Sequence, residues 1–379
     1  MSTGSRTIAL AERVIRASNR ERPADSVLRQ QLKTEKQLEP REAAETARAV
    51  FAYYRWKGWL EPDAPLGRSI GQALELAERF ADEPLSFPDS ELLERAVPAW
   101  LSKHMDVLPA WLRTLQQEPK LWLRAKPGQG RTVAKSLSNC RVFGEGVWSD
   151  TLQYLGRADL FRTADFQEGK FEVQDISSQA VGLACDPKPG EKWWDACAGE
   201  GGKTLHLSAL MQNQGLIWAS DASNWRLERL KRRAARAGVF NFRRALWKGD
   251  SHLPTRTTFD GVLVDAPCSG IGTWQRNPHA RWTLLPEDVA ELSALQSKLL
   301  ENASAAVKPG GKLVYAVCTM AKAETVEVVR QFSEKCAGFK PLAVQNPLSP
   351  AQPATHSWQL WPQEHCGNGM FVAVWSRLA

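Results

Sequence analysis

Phe259-Asp260-Gly261-Val262-Leu263-Val264-Asp265-Ala266-Pro267-Cys268-Ser269-Gly270 is the stretch that decides the fold. An apolar run ending in an acid reads as a parallel strand buried on both faces, and open parallel sheets bind ligands at the C-terminal tips of their strands. A second run, Gly310-Gly-Lys-Leu-Val-Tyr-Ala-Val317, leads in the same way to Cys318. If the two strands are neighbours, two thiols and one carboxylate converge at one rim.

Outward from these strands, the chain from about 190 to the end alternates strand and helix. Strands are expected at 192–196, 215–220, 244–248, 261–264 and 312–317, with helices near 203–212, 224–237, 286–306 and 322–334. That alternation predicts an α/β fold with a parallel sheet and right-handed crossovers. Phe339 to Val344 and Met370 to Trp375 read as a closing, partly antiparallel pair. From about 118, Leu121, Leu123 and Val142 lie in short strand-like runs around a helix at 131–137. Phe166 to Val173 is expected to form a hairpin about Glu168-Gly169. Asp175 or a neighbouring serine then caps a helix.

The region before 115 is helical in pattern. Ile8, Ala11, Val14 and Ile15 keep one period, and Pro23 interrupts it. Pro40 suits a first helical turn, ahead of an apolar face of Ala44, Ala47, Val50, Phe51 and Tyr54. Arg41, Arg48, Arg55 and Lys57 surround that face, either as solvated charges or as an RNA-docking surface. Further helices are read at 70–80 and 89–97.

The 379 residues allow two or three domains, and 43% hydrophobic with 24% charged residues is ordinary for a globular protein. No apolar run approaches the roughly 20 residues a spanning helix needs. Arg6, Glu12, Arg13 and Arg16 leave no signal-peptide core, and seven scattered cysteines fit a reducing compartment, so a cytoplasmic protein is expected. A net charge of +7 makes nucleic acid the first acidic partner to consider, with no membrane partner. Most of the sixteen tryptophans are expected in the core and a minority on bases.

The first strand of the alternating region ends in Asp195-Ala-Cys197-Ala198-Gly199-Glu200-Gly201-Gly202-Lys203-Thr204. Glycines between strand and helix leave amide N–H groups facing a ligand, although a plain tight turn would look the same. The spacing fits neither a phosphate loop nor a dinucleotide fingerprint. Asp221, Asp250 and Asp265 follow at the tips of successive strands. An acid there can hold ribose hydroxyls, so three beside one glycine turn favour a nucleoside cofactor, and the missing phosphate loop points to S-adenosyl-L-methionine.

Together, Asp195-Ala-Cys-Ala-x-x-Gly-Gly-Lys-Thr204, Asp265-Ala-Pro-Cys-Ser-Gly270 and Tyr315-x-x-Cys-Thr319 resemble motifs of the RsmB/NOP family of RNA (cytosine-5)-methyltransferases. Val173-Gln-Asp-Ile-Ser-Ser-Gln179 and Gly272-Thr-Trp-Gln-Arg-Asn-Pro278 resemble two more, and the likeness covers about residues 110–379. Gly199-Glu200 replaces the commoner Ala-Pro, and Thr319 the usual Ser. The resemblance implies a class I Rossmann-like methyltransferase domain over 171–379, preceded by a small α+β (RRM-like) subdomain over 106–170. Over 1–105 it implies an all-α domain similar to the NusB-like RNA-binding domain of RsmB-type members.

For the site, the resemblance implies cofactor contacts from Cys197 through Lys203 and from Asp221, Asp250 and Asp265. It implies Cys318 as the nucleophile that adds to a cytosine, Asp265 as the partner of ring nitrogen 3, and Cys268 as the group that helps release the product. DNA cytosine-5 methyltransferases use the strand-four cysteine instead, so exchange of the two roles is the rival assignment. Lys203 would orient the site. Cys140, Cys185, Cys336 and Cys366 carry no such setting, and no paired Cys-x-x-Cys supports a metal.

Arg226, Arg229, Lys231, Arg232, Arg233 and Arg236 line the helix after Asp221, and Arg276, His279, Arg281 and Trp282 follow the catalytic loop. Both sets are candidates for holding RNA. The expected partner is ribosomal RNA, with tRNA second, and the protein is expected to act as a monomer. An RNA-binding assembly factor without turnover is the alternative from another class, and the intact cysteine pair argues against it.

Overall fold

The computed structural model describes residues 4–35 and 38–379. They fall into two compact units, Met1–Pro119 with Gly270–Asp288, and Lys120–Ser269 with Val289–Ala379. The helical unit therefore extends past the expected boundary at 105. It also takes in residues 270–288, which the sequence reading kept within the catalytic domain.

In the helical unit the four longest helices are Ser5–Ala17, Ala24–Thr34, Pro40–Trp56 and Leu66–Asp82. Pro23 does more than end a run, because a second helix starts directly behind it. Pro40 opens its helix with a capping box between Glu39 and Glu42. Ala11, Val14, Ala49, Val50 and Ile70 share one core. Arg281 is fully buried and donates to the carbonyls of Arg55 at 3.4 Å, Ala96 at 2.8 Å and Leu115 at 3.2 Å. These carbonyls lie at or just past the ends of helices 40–56, 89–95 and 109–115, where the helix dipoles favour a cation. Burial nevertheless lowers its pKa to about 9, with Arg55 adding to the effect. Trp282 donates its indole N–H to the Tyr54 carbonyl at 2.6 Å.

The second unit holds two sheets. The smaller consists of β1 (Leu121–Ala125), β2 (Cys140–Val142), β3 (Thr151–Tyr154) and β4 (Phe171–Val173), in the order β2-β3-β1-β4. The expected hairpin at 166–173 does not form. Thr163 caps a short helix at 164–167 by accepting from the Phe166 amide at 3.3 Å, and β4 pairs antiparallel with β1. Local alternation alone could not show that the partner strand lies some fifty residues upstream.

The larger sheet contains β5 (Lys192–Asp195), β6 (Leu216–Asp221), β7 (Phe242–Leu246), β8 (Phe259–Asp265), β9 (Val307–Val317), β10 (Phe339–Pro341), β11 (Ser357–Leu360) and β12 (Met370–Arg377). Its order is β10-β12-β9-β8-β5-β6-β7, with β11 on β12. Strands β5 to β9 are parallel, while β12 runs antiparallel to β9, β10 and β11. The chain leaves β5 toward β6 and β7, then returns to place β8 on its other side. The β5–β8 seam is therefore the topological switch point, where an open sheet of this kind holds its ligand.

Both sheet faces are buried, which explains the near-continuous apolar strands. Along β9, Leu313, Tyr315 and Val317 join β8 Val262 and Val264 against Leu299, Leu300 and Ala303 of helix Pro286–Ser304. Val314, Ala316 and β8 Leu263 face the opposite layer, with Ile176, Ala180 and Val181 of helix Ile176–Cys185. Gly261 has no side chain because Trp193 of β5 lies where a Cβ would be, 2.3 Å from that point.

Candidate active site at the tips of β5, β8 and β9

The residues after β8 and after β9 bring Cys268 and Cys318 together, with their Sγ atoms 3.2 Å apart. Asp265 ends β8 between them and the glycine turn. Its Oδ2 accepts from Lys203 Nζ at 2.6 Å, and the Lys203 side chain is only 9% exposed. Burial works against the Lys203 charge, but the Asp265 carboxylate, its hydrogen bond, Cys318 and Asp195 outweigh it and raise the pKa. Lys203 is thus a fixed ammonium between a carboxylate and a thiol.

The turn after β5 is shaped by backbone conformation. Gly199 and Gly201 have φ of +54° and +89°, which side-chain-bearing residues rarely adopt. The Gly199 amide donates to Asp221 Oδ2 at 3.0 Å, tying the turn to the tip of β6, and Asp221 Oδ1 accepts from Ser223 N at 2.8 Å. Asp250 does not sit on a strand tip as expected. β7 ends at Leu246, and Asp250 lies beyond it, exposed, in a turn where its Oδ1 accepts from His252 N at 3.1 Å. Glu200 forms a half-exposed ion pair with Arg229 at 3.1 Å.

Asp195 was quoted in the turn but given no role by sequence reasoning. It is fully buried at the end of β5, takes the Thr204 hydroxyl at 2.6 Å, and has an Oδ1 with no partner. Burial first, then the Asp265 and Asp221 charges, raise its pKa to about 7, with Thr204 and Lys203 opposing. Burial together with the charges of Asp195, Asp265 and Asp221 also drives the Cys197 thiol well above its ordinary value. Cys197 is therefore a neutral packing residue at physiological pH and unsuited to nucleophilic attack. The mutual influence of these groups shows that three carboxyls surround the turn and one lysine answers them. Such a set fits a ligand carrying positive charge, and S-adenosylmethionine, with a sulfonium and an ammonium, meets that requirement.

A further carboxylate lies behind the thiols. Glu324 is fully buried, and its Oε1 accepts from Ser269 N and Gln296 Nε2, each at 2.8 Å. Its Oε2 accepts from Thr319 Oγ1 at 3.0 Å and from the Ser269 hydroxyl. Sequence reading missed it because an acid in a post-strand turn normally reads as solvated. Its spacing, six residues after Cys318, carries no signal of its own.

The Val173–Gln179 motif bridges the elements of the two sheets. Gln174 accepts from Arg124 Nε at 2.6 Å and reaches the Gly202 carbonyl of the glycine turn at 3.2 Å. Asp175 caps helix Ile176–Cys185 as expected, and Gln179 accepts from Thr151 Oγ1 at 2.6 Å.

The expected basic surfaces are only partly available. On helix Asn224–Ala237, Arg233 and Arg236 both pair with Glu172, while Arg226, Lys231 and Arg232 are exposed. Arg55 and Arg281 are buried, and Arg41 and Arg48 pair with Glu45 and Glu78. Arg281 and Trp282 therefore serve the helical core, which corrects their reading as RNA contacts. Trp225 is 60% exposed, with the Arg229 guanidinium 4.9 Å from its ring centre. Cys185 is buried and Cys140, pushed up by burial to about 11, lies on β2, so neither belongs to the site. Among the described residues no group of three or more candidate ligands is placed to hold a metal, and no helix is long and apolar enough to cross a membrane.

Residues 182–376 match the family described as 16S rRNA methyltransferase RsmB/F. The chain is 33% identical over 303 residues to the probable ribosomal RNA small subunit methyltransferase B of Synechocystis sp., covering 77% of this chain and 67% of that protein. The crystal structure of PH0851 shares the fold along all of both chains, with a TM-score of 0.83 at 24% identity. A methyltransferase homologue from Pyrococcus horikoshii superposes with a TM-score of 0.59 at 26% identity, over 71% of this chain and 90% of that one. The switch-point turn, the paired thiols and these likenesses agree that the chain belongs to the RsmB/NOP family of S-adenosylmethionine-dependent RNA methyltransferases.

Proposed function

We propose that the protein methylates carbon 5 of a cytosine in ribosomal RNA, through a temporary bond between Cys318 and the pyrimidine. The observation that carries this reading is the approach of Cys268 and Cys318 to 3.2 Å beside the Lys203–Asp265 pair. Carbon 5 of cytosine is a weak nucleophile. Addition of the Cys318 thiolate to carbon 6 gives it enamine character and divides one hard step into easier ones. The bound cofactor supplies an electrophilic methyl group.

Asp265 hydrogen-bonds or protonates ring nitrogen 3 as the sulfur adds, spreading the charge that develops, while Lys203 holds the Asp265 side chain in place. After transfer, loss of the carbon-5 proton and departure of the Cys318 sulfur restore the aromatic ring. Cys268, one thiol away, assists this release. Residues 197–203 hold the cofactor, Asp221 takes its ribose hydroxyls, and Asp250 serves the adenine. The carboxyl groups of Asp195, Asp221 and Asp265 around the turn favour the positive charge that the cofactor carries.

RNA contacts are assigned to Arg226, Lys231 and Arg232, with Trp225 as a stacking surface. A paired cytosine must leave its stack to reach a thiol, so the target is single-stranded or locally opened. The helical unit is read as a NusB-like RNA-docking module. The relatives named for the small ribosomal subunit favour ribosomal RNA. Incubation with small-subunit rRNA and methyl-labelled cofactor, followed by nucleoside digestion, should yield 5-methylcytidine. Label in any other nucleoside would overturn the assignment.

A further inference from the structure

We propose that Glu324 is the positioning residue that fixes the separation of the two thiols. This rests on the reading of Cys318 and Cys268 as the reacting pair. The backbone ladder between β8 and β9 runs as far as Asp265 opposite Ala316, and the Ala266 amide adds a bond to the Ala316 carbonyl at 3.0 Å. Past that point the strands become loops, and each loop places its cysteine immediately before a hydroxyl residue, Ser269 or Thr319. The two hydroxyls are 2.8 Å apart.

Glu324 accepts from both of them and from the Ser269 amide, so one carboxylate spans the residues next to both thiols. Gln296 donates to the same carboxylate and to the Pro267 carbonyl at 2.9 Å, and Tyr315 donates to the Glu324 main-chain carbonyl at 2.7 Å. Every partner of the carboxylate is a donor, and the side chain is fully buried. An amide in its place would turn two N–H groups toward the Ser269 and Thr319 hydroxyls. Because Thr319 Oγ1 already accepts from the Ala321 amide at 3.2 Å, those two oxygens cannot take every N–H and O–H hydrogen, leaving a buried polar group unmatched. The loops would then shift, and a misplacement of about 1 Å near reacting atoms costs on the order of 100-fold in rate.

The test combines turnover with a probe of thiol spacing. Phenylarsine oxide condenses with two adjacent thiols, forming two As–S bonds and releasing one water, with no change of oxidation state. The wild-type protein should bind it across Cys268 and Cys318, and Cys268→Ala should lose that chelation. Glu324→Gln should lower kcat about 100-fold while KM for RNA stays within a few-fold. It should also weaken arsenical binding at least tenfold. Thr319→Val, which removes one bridge and leaves the carboxylate, should show smaller effects of the same kind and keeps the question open to measurement if Glu324→Gln does not fold.

Phe332→Leu, in the core against Phe339 and Trp375, is the control for general destabilisation and should move neither kcat nor arsenical affinity. Wild-type kcat and arsenical affinity in Glu324→Gln, or in Thr319→Val where that variant must stand in, would overturn the proposal. If chelation falls in Glu324→Gln while Cys318→Ala still methylates RNA, the positioning role stands and the nucleophile assignment fails.

Discussion

Replacing Asp195 by asparagine gives a pH signature that can be worked from the site. Asp195 is fully buried, and its pKa is raised from an ordinary 3.8 to about 7, first by burial and then by the Asp265 and Asp221 charges. The folded protein therefore holds this proton more tightly than the unfolded chain does. Stability that the group contributes is fully present below pH 3.8 and is lost as pH rises through 7. With about 1.4 kcal/mol per pKa unit, the wild type is less stable than a protein with a non-ionising group at this position by about 4 kcal/mol near pH 8 and by about 2 kcal/mol at pH 5. Asparagine keeps an acceptor for Thr204 and cannot ionise. Any cost of its buried amide N–H is the same at both pH values and cancels in the comparison. Urea denaturation of both proteins at pH 5 and pH 8 should show the variant gaining about 2 to 3 kcal/mol on the wild type across that interval. A stability difference that stays constant with pH would mean that Asp195 is ionised at pH 5 already, and the crowded-carboxyl description of the turn would be wrong.

Arg281→Met should destabilise the helical unit by about 1 to 3 kcal/mol, because three helix-end carbonyls lose their buried hydrogen-bond donor; an unchanged melting transition would refute it. Gly201→Ala should weaken cofactor binding, since φ is +89° there and a Cβ would lie 2.6 Å from Leu230 Cγ; isothermal titration with the cofactor reads this directly. The triple variant Arg226→Ala, Lys231→Ala, Arg232→Ala should flatten the dependence of log K for RNA on log salt by about 2, while Arg233→Ala should chiefly lower stability. Equal salt slopes in the two variants would remove this helix face from the RNA path.

The chain's α/β character and the parallel strands were legible because each rests on a local pattern, whereas the meeting of Cys268, Cys318 and Asp265 followed only on the condition that β8 and β9 be neighbours. Val262, Leu263 and Val264 must be buried on both faces, and that already implies helices on either side. The limits of β9 were less clear. Pro309-Gly310 reads as a turn, yet β9 begins at Val307, where Val307 pairs with Phe259 across an irregularity before Gly261 pairs with Lys312. Of the long-range partnerships, the closing antiparallel pair of β10 and β12 was legible, and others were not. Nothing local in Phe171–Val173 announces Leu123–Ala125 as its partner, and β11 lay unmarked in a Pro-rich region.

Charges misled most, because a sequence shows an arginine but not its surroundings. Arg281 read as a candidate RNA contact and is buried among helix ends, Arg55 read as a solvated or RNA-docking charge and is buried too, and Arg233 and Arg236 are held by Glu172. The reverse holds for Glu324, whose importance comes only from where Ser269 and Thr319 are brought.

The central claim is that the Cys318 sulfur bonds to the target base and that Cys268 is needed to let go. Denaturing gel electrophoresis with mass spectrometry, after mixing each cysteine variant with rRNA and cofactor, reads this directly. Cys268→Ala should carry a covalent RNA adduct attached at Cys318, and Cys318→Ala should carry none and release no methylated product. An adduct in Cys318→Ala and none in Cys268→Ala would exchange the two roles and contradict the account.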